Sequence, residues 1–74
     1  MNIPLEFDRE EDGRWIAEVP SMPGVMAYGA TQEDAGNRAL ALALRVLADR
    51  LEHGEGASAV YAINITRYES MALR

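Results

Sequence analysis

Cysteine is absent from this sequence and so is lysine, while histidine occurs once. Without cysteine there is no disulfide framework and no thiolate metal site, an absence that suits a reducing compartment. A lone histidine, His53, rules out any multi-histidine site. No apolar run is long enough to span a bilayer, and the N-terminus lacks the basic-then-apolar pattern of a signal peptide. A soluble cytoplasmic protein that makes no membrane contact is expected. Neither a G-x-G-x-x-G nor a Walker pattern occurs, so Gly24 and Gly29 build no phosphate-binding loop. Ser21, Ser58 and Ser70 have no motif around them. Linkers, repeats and low-complexity tracts are also missing, and the 74 residues are expected to form one domain, 1–74. A chain of this size buries only roughly 60–65% of its unfolded surface. Without covalent staples it gains from oligomerising, and a dimer or tetramer is expected.

Positive charge is scarce in the first half. Residues 1–36 hold eight acids and two arginines, net −6, and residues 37–74 hold four acids and five arginines, net +1; together they give the overall −5. An acidic first half argues against nucleic acid as a direct ligand. It suits a basic partner and speeds the encounter with one. Plain solubility is the competing explanation for the same acids.

What is present is one long helical pattern, Gln32 to His53. Thr31 is a good N-cap, and Asp34 stands three residues on in a capping-box-like position. Glu33 and Asp34 occupy the first turn, Arg50 and His53 lie near the end, and Gly54 is a natural C′ residue. At about 100° per residue, Asp34, Arg38, Ala41, Arg45, Ala48, Asp49 and Glu52 fall on one narrow stripe. Asp34–Arg38 and Arg45–Asp49 are i,i+4 pairs along it. Ala35, Ala39, Leu40, Leu42, Ala43, Leu44, Val46, Leu47 and Leu51 fill an arc of roughly 200°, against the roughly 100° that covers one surface. Either loops and the C-terminal tail cover the surplus flank or a second subunit does. Gly36-Asn37, two poor helix formers, stand out near the start.

Around the helix lie four strand patterns. Ile3, Leu5 and Phe7 share one face of strand 1, and Pro4 places its start at an edge or outside the ladder. Asp12-Gly13 signals a hairpin turn. Strand 2 runs from Arg14 to Val19, with Trp15, Ala17 and Val19 opposite Arg14, Ile16 and Glu18. Pro23-Gly24 fits the centre of a type II turn. Val25 to Tyr28 is strand 3, closed by Gly29. Glu55 to Ser58 reads as a loop and Ala59 to Thr66 as strand 4, with Tyr61, Ile63 and Ile65 on one face; Tyr68 to Arg74 has no pattern. The order is β-β-β-α-β, an α+β fold: an antiparallel meander, one long helix, and a strand that returns parallel to strand 1 or 3 by a right-handed connection. The sheet's other face also carries apolar residues: Ile16, and either Met26 with Tyr28 or Val25 with Ala27.

The run from Asp12 to Thr31 resembles the HicB antitoxin family. In order it has Trp15 leading a strand that ends at Pro20, a Pro23-Gly24 turn, a short strand, Gly29, and Thr31 capping an Ala/Leu-rich helix that includes Ala35. Leu47 to Gly54 is similar to that family's helix end, so the likeness covers residues 3–55. The resemblance implies a partial RNase H-like fold without RNase H activity. It implies a type II toxin–antitoxin role in which the domain binds and blocks a small basic mRNA-cleaving toxin of the HicA kind. Many family members add a helix-turn-helix or ribbon-helix-helix domain. The sequence up to Arg74 carries nothing of that kind, so operator binding by this chain itself is not expected. The alternative is a stand-alone homo-oligomeric regulatory or assembly module with no toxin partner.

Catalysis is not expected, nor is any cofactor or metal site. A two-metal nuclease site needs carboxylates converging from several elements onto ions roughly 3.5–4 Å apart. Here Glu10, Glu11 and Asp12 lie in a single turn, and Asp34, Asp49 and Glu52 lie on the helix's polar stripe. His53 fits as a helix C-terminal charge. Arg50 either snorkels past the core's edge or reaches a partner carboxylate. The expected partner-binding residues are Asp8, Glu10, Glu11, Asp12 and Glu18 for charge steering, with Trp15 and Met22 as contacts. Trp15 reads first as core or sheet packing, with an interface anchor as the functional alternative.

Overall fold

The structure, a computed structural model, describes residues 2–54 and 64–68. Its elements are β1 (Asn2–Arg9), β2 (Trp15–Glu18), β3 (Met26–Gly29), α1 (Gln32–Glu52) and β4 (Asn64–Tyr68). They form a small α+β arrangement of one helix on a four-stranded mixed sheet, in the order β3-β2-β1-β4. β1 pairs antiparallel with β2, β2 antiparallel with β3, and β4 lies parallel beside β1.

The alternation of strand 1 decides which face is inside. Ile3, Leu5 and Phe7 are buried and pack with Ala17, Val19, Met22 and Val25 against Ala35, Ala39, Ala43 and Leu47 of α1. The helix meets the sheet through alanines, so its axis comes close and little side-chain volume separates the layers. Pro4 lies inside β1, opposite Thr66 of β4. The ladder to β2 starts only at Glu6, so Pro4 sits beyond the β2 ladder, where its missing N–H does least harm. The strand begins at Asn2.

Two turns tie the meander together. Gly13 N–H donates to Glu10 O (3.0 Å) and Glu10 N–H to Arg14 O (2.7 Å), which makes Glu11–Gly13 a three-residue hairpin loop. Gly13 has φ 93°, the arrangement of a type I turn with a glycine bulge. The Asp12-Gly13 signal thus marks the second half of the turn. Between β2 and β3 come two successive turns, Met22 N–H to Val19 O and Val25 N–H to Met22 O, both 3.0 Å. Pro20 and Pro23 each follow the first residue of a turn. Gly24, with φ 88°, supplies the positive φ that a type II turn demands at that position.

The helix starts where Thr31 caps it, the Oγ1 accepting from Asp34 N–H at 3.0 Å. Asp34 reaches back to Ala30 N–H at 3.4 Å and pairs with Arg38 at 3.4 Å. It ends at Glu52, one residue earlier than the sequence pattern indicates, with His53 as the C-cap. Asp49 faces His53 (3.5 Å) and forms no ion pair with Arg45. The imidazole Nδ1 also lies 2.8 Å from the Asp49 carbonyl oxygen at the helix end. Arg50 is exposed in the last turn. Of the wide apolar arc, only Ala35, Ala39, Ala43 and Leu47 are buried, with Gly36 beside them, while Leu44 and Leu51 stay 42% exposed.

Boundaries differ at all four strands: β1 extends one residue beyond each end of the alternating Ile3–Asp8 pattern, and β3 starts at Met26 and not Val25. β2 is shorter than Arg14–Val19 because the hairpin loop and the double turn take its ends. β3 runs through Gly29, which pairs with Trp15. β4 extends to Tyr68, past the expected stop at Thr66; residues 55–63, with the expected loop and strand start, and residues 69–74 lie outside the described residues.

Gly36 has a packing role that the helix propensity scale hides. A Cβ there would meet the Phe7 ring at 3.0 Å and an Arg67 guanidinium nitrogen at 3.2 Å. Arg67 lies over the same ring, 5.8 Å from its centroid, and donates to Asn37 Oδ1 at 3.2 Å. Gly36-Asn37 therefore joins β1, β4 and the helix. Gly36→Ala gains about 1 kcal/mol of helix propensity but overpacks a buried ring, at about 1–3 kcal/mol. A net loss of about 1 kcal/mol is expected in urea unfolding, reversed when Phe7→Leu is added.

Candidate protein-binding face

Because Ile3, Leu5 and Phe7 point at the helix, Glu6 and Asp8 point away from it. Because Ala17 and Val19 point inward, Ile16 and Glu18 point the same way as Glu6 and Asp8. Register aligns these residues into two rows across the strands: Glu6–Glu18–Met26 and Asp8–Ile16–Tyr28. Neighbouring strands are ~4.8 Å apart. Met26 and Tyr28 are each 40% exposed, Ile16 is half-buried, and the three carboxylates are exposed. Of the alternatives for the outer face, Met26 with Tyr28 is the pair found there; Val25 is buried and Ala27 packs against the core. No described element lies over this face.

Its electrostatics are one-sided. Among the described residues Glu6, Asp8 and Glu18 form no ion pair, although Asp8 Oδ1 accepts from Arg9 N–H at 2.8 Å. Glu6 and Glu18 stand directly opposite each other, a placement that costs stability. Arg14 is the cation at the corner. Its guanidinium lies 4.4 Å from the Tyr28 ring centroid and donates through Nε to Asp12 Oδ2 at 2.8 Å. The Arg14 backbone N–H donates to Asp12 Oδ1 at 3.0 Å. That backbone bond, with the guanidinium behind it, holds the Asp12 carboxyl below the usual carboxylate range. The sign follows: Asp12's share of stability is whole above the ordinary carboxylate pKa and fades as pH falls through its own lowered value. A carboxyl chemical-shift titration is expected to give Asp12 a midpoint below the ordinary aspartate value, and Arg14→Ala to raise it only part of the way, because the backbone N–H of residue 14 still donates to the carboxylate.

The expected partner residues separate into three groups. Asp8 and Glu18 share the outer sheet face, and Glu10, Glu11 and Asp12 lie at its end in or beside the hairpin loop. Trp15 lies on the helix side, half-buried against the core, with the Arg9 guanidinium 5.7 Å from its ring centroid. Met22 is only 4% exposed within the double turn and is a core residue, not a surface contact. Glu6 belongs to the face and is absent from the expected set. The alternation that buries Leu5 and Phe7 assigns it there. Among the described residues no three His, Cys, Asp or Glu side chains cluster closely enough to hold a metal ion. No helix among them is long and apolar enough to cross a membrane.

Comparison with protein families, with curated proteins and with solved structures gives no match. Hydrogen-bond acceptors alternate with exposed aliphatic and aromatic surface on a rigid sheet, with one arginine at the margin. Such a surface can dock a protein that presents cations around an apolar centre.

Proposed function

We propose that this chain is an antitoxin-like binding module of the HicB kind, acting in the cytoplasm and taking a small basic protein on the outer face of its sheet. The observation that carries the reading is the double row Glu6–Glu18–Met26 and Asp8–Ile16–Tyr28. Unpaired carboxylates there draw in a cationic partner, and exposed apolar side chains between them supply affinity once water is expelled. The partner is an mRNA-cleaving toxin, and the antitoxin role is to occlude its catalytic surface. The strand order, with β4 parallel beside β1, is compatible with the RNase H-like arrangement that the sequence resemblance implies. No reaction is assigned to the chain itself.

The test combines capture and rate. The tagged chain is expected to recover a stoichiometric small basic protein from its own cells at low salt and to release it at high salt. Adding the chain should suppress RNA cleavage by that protein. Glu6→Lys gives two opposite signals. It replaces a like-charge pair with Glu18 by an opposite one, so stability rises by up to about 1 kcal/mol. It also removes steering charge, so association in stopped flow slows and its salt dependence shrinks. An unchanged on-rate for Glu6→Lys and Glu18→Lys sinks the assignment of this face.

The exposed Leu44 and Leu51 favour a second reading, a stand-alone homo-oligomer serving regulation or assembly. It predicts no basic protein in the capture at either salt concentration, which separates it from the antitoxin reading, whereas self-association alone does not.

A further inference from the structure

The helix carries a second exposed surface, on the flank turned away from the core. Leu44, Ala48 and Leu51 follow the i, i+4, i+7 spacing that lines up one stripe, and all three are exposed. Both leucines are 42% accessible, and half-buried Leu40 extends the stripe by one turn. Arg45 and Glu52, each one residue beyond a leucine, form its outer rim. Neither has an ion-pair partner among the described residues, since Asp49 turns to His53.

We infer that two copies of this chain pair through this flank, helix against antiparallel helix, about a twofold axis at Ala48. The charge pattern selects a second copy over any other occupant. Arg45 stands three residues before Ala48 and Glu52 four after it. Under a twofold axis at Ala48, Arg45 of each copy comes within one residue, about 1.5 Å along the helix, of the level of Glu52 of the other and on the same side, so the rim is complementary to itself twice over. Leu44 meets Leu51 of the second copy on both sides of the axis, and the small Ala48 lets the helices approach. The outer sheet face cannot serve the same purpose, because a twofold there sets Glu6, Asp8 and Glu18 against one another. The inference stands apart from the antitoxin reading, since it uses a different surface, and either can fail alone.

Sedimentation equilibrium on the full chain tests it. The wild type is expected to dimerise reversibly, and Leu44→Glu to weaken the dimer at least tenfold while the far-ultraviolet circular dichroism stays helical. Arg45→Glu and Glu52→Arg should each weaken it at low salt, the first by setting two acids against each other and the second two arginines. Mixed in equal amounts, those two variants should form a heterodimer, because each then supplies the sign the other lacks. Should Leu44→Glu fail to fold, the exposed charge variants carry the test. A chain that is monomeric at every soluble concentration overturns the inference. So does a dimer indifferent to the charge reversals, or a mixture that associates no better than its components.

Discussion

Gly29→Ala is expected to remove a large share of the domain's stability, about 3 kcal/mol or more. Gly29 sits at the end of β3, where the chain turns into the helix one layer above. A Cβ on it would run into the Ala35 backbone nitrogen and lie 2.9 Å from Ala35 Cα. Neither atom belongs to a side chain that can rotate away. Both belong to the first turn of α1, which Thr31 and Asp34 pin in place. The helix must back off the sheet, and the alanine interface of Ala35, Ala39 and Ala43 loses its contact with β1 and β2. Overpacking alone costs about 1–3 kcal/mol, and separating the layers adds to it, so a loss of about 3 kcal/mol or more is expected. A domain of this length holds about 4–11 kcal/mol in total. Urea titration followed by circular dichroism should show the midpoint falling by about 3 M or more, given a slope near 1 kcal/mol/M. A shift of a few tenths of a molar would mean that the helix approaches the sheet less closely than described.

Phe7→Ala is expected to cost about 3–5 kcal/mol. The ring is the largest side chain in the core, 2% exposed, and it touches three elements at once. It fills the hollow that Gly36 leaves in the helix, it lies beneath the Arg67 guanidinium of β4, and it anchors β1. Removing it opens a cavity that glycine cannot collapse into, and β4 loses a contact besides its ladder. A second consequence separates this account from simple loss of apolar area. In the Phe7→Ala background Gly36→Ala should turn stabilising, by about 1 kcal/mol, because the helix gain survives and the clash does not. A cycle that shows no coupling between positions 7 and 36 would contradict the packing described.

Much of the fold is legible in local patterns. The cap at Thr31, the leucine and alanine spacing and the Pro23-Gly24 turn fix the helix and the meander to within a residue or two. Period-two alternation in Ile3–Asp8 fixes which face is buried. What escapes local patterns is the distance between layers. Gly29 and Gly36 read as a strand terminator and a weak helix residue, yet both are there because another element passes too close for a Cβ. Periodicity also misjudges Met22. It stands in a loop by its neighbours, while two linked turns fold it into the core. Trp15 obeys its alternation faithfully and so faces the helix, away from the acids it was grouped with. Asp8 and Glu18 come together because register, which no single strand encodes, puts Asp8 beside Ile16 and Glu6 beside Glu18. Arg45–Asp49 does not form because Asp49 has a second i,i+4 neighbour, His53, and pairs with it instead.

One detail of β1 has a kinetic side. Its pairing with β2 covers Glu6 to Arg9, and its pairing with β4 covers Asn2 to Glu6, so Glu6 alone has a strand neighbour on both sides. The two ladders meet end to end and barely overlap. The first joins segments close in the chain; the second joins residues as far as 62 apart, as Asn64 to Asn2. Closing the short loops costs less entropy than closing the long one, so the hairpin and helix are expected to assemble first and β4 to zip on last. In the native state the same seam should let β4 peel off by itself. Its amides would then exchange with solvent by a partial opening, well before those of β2 and α1, which exchange only when the whole domain comes apart.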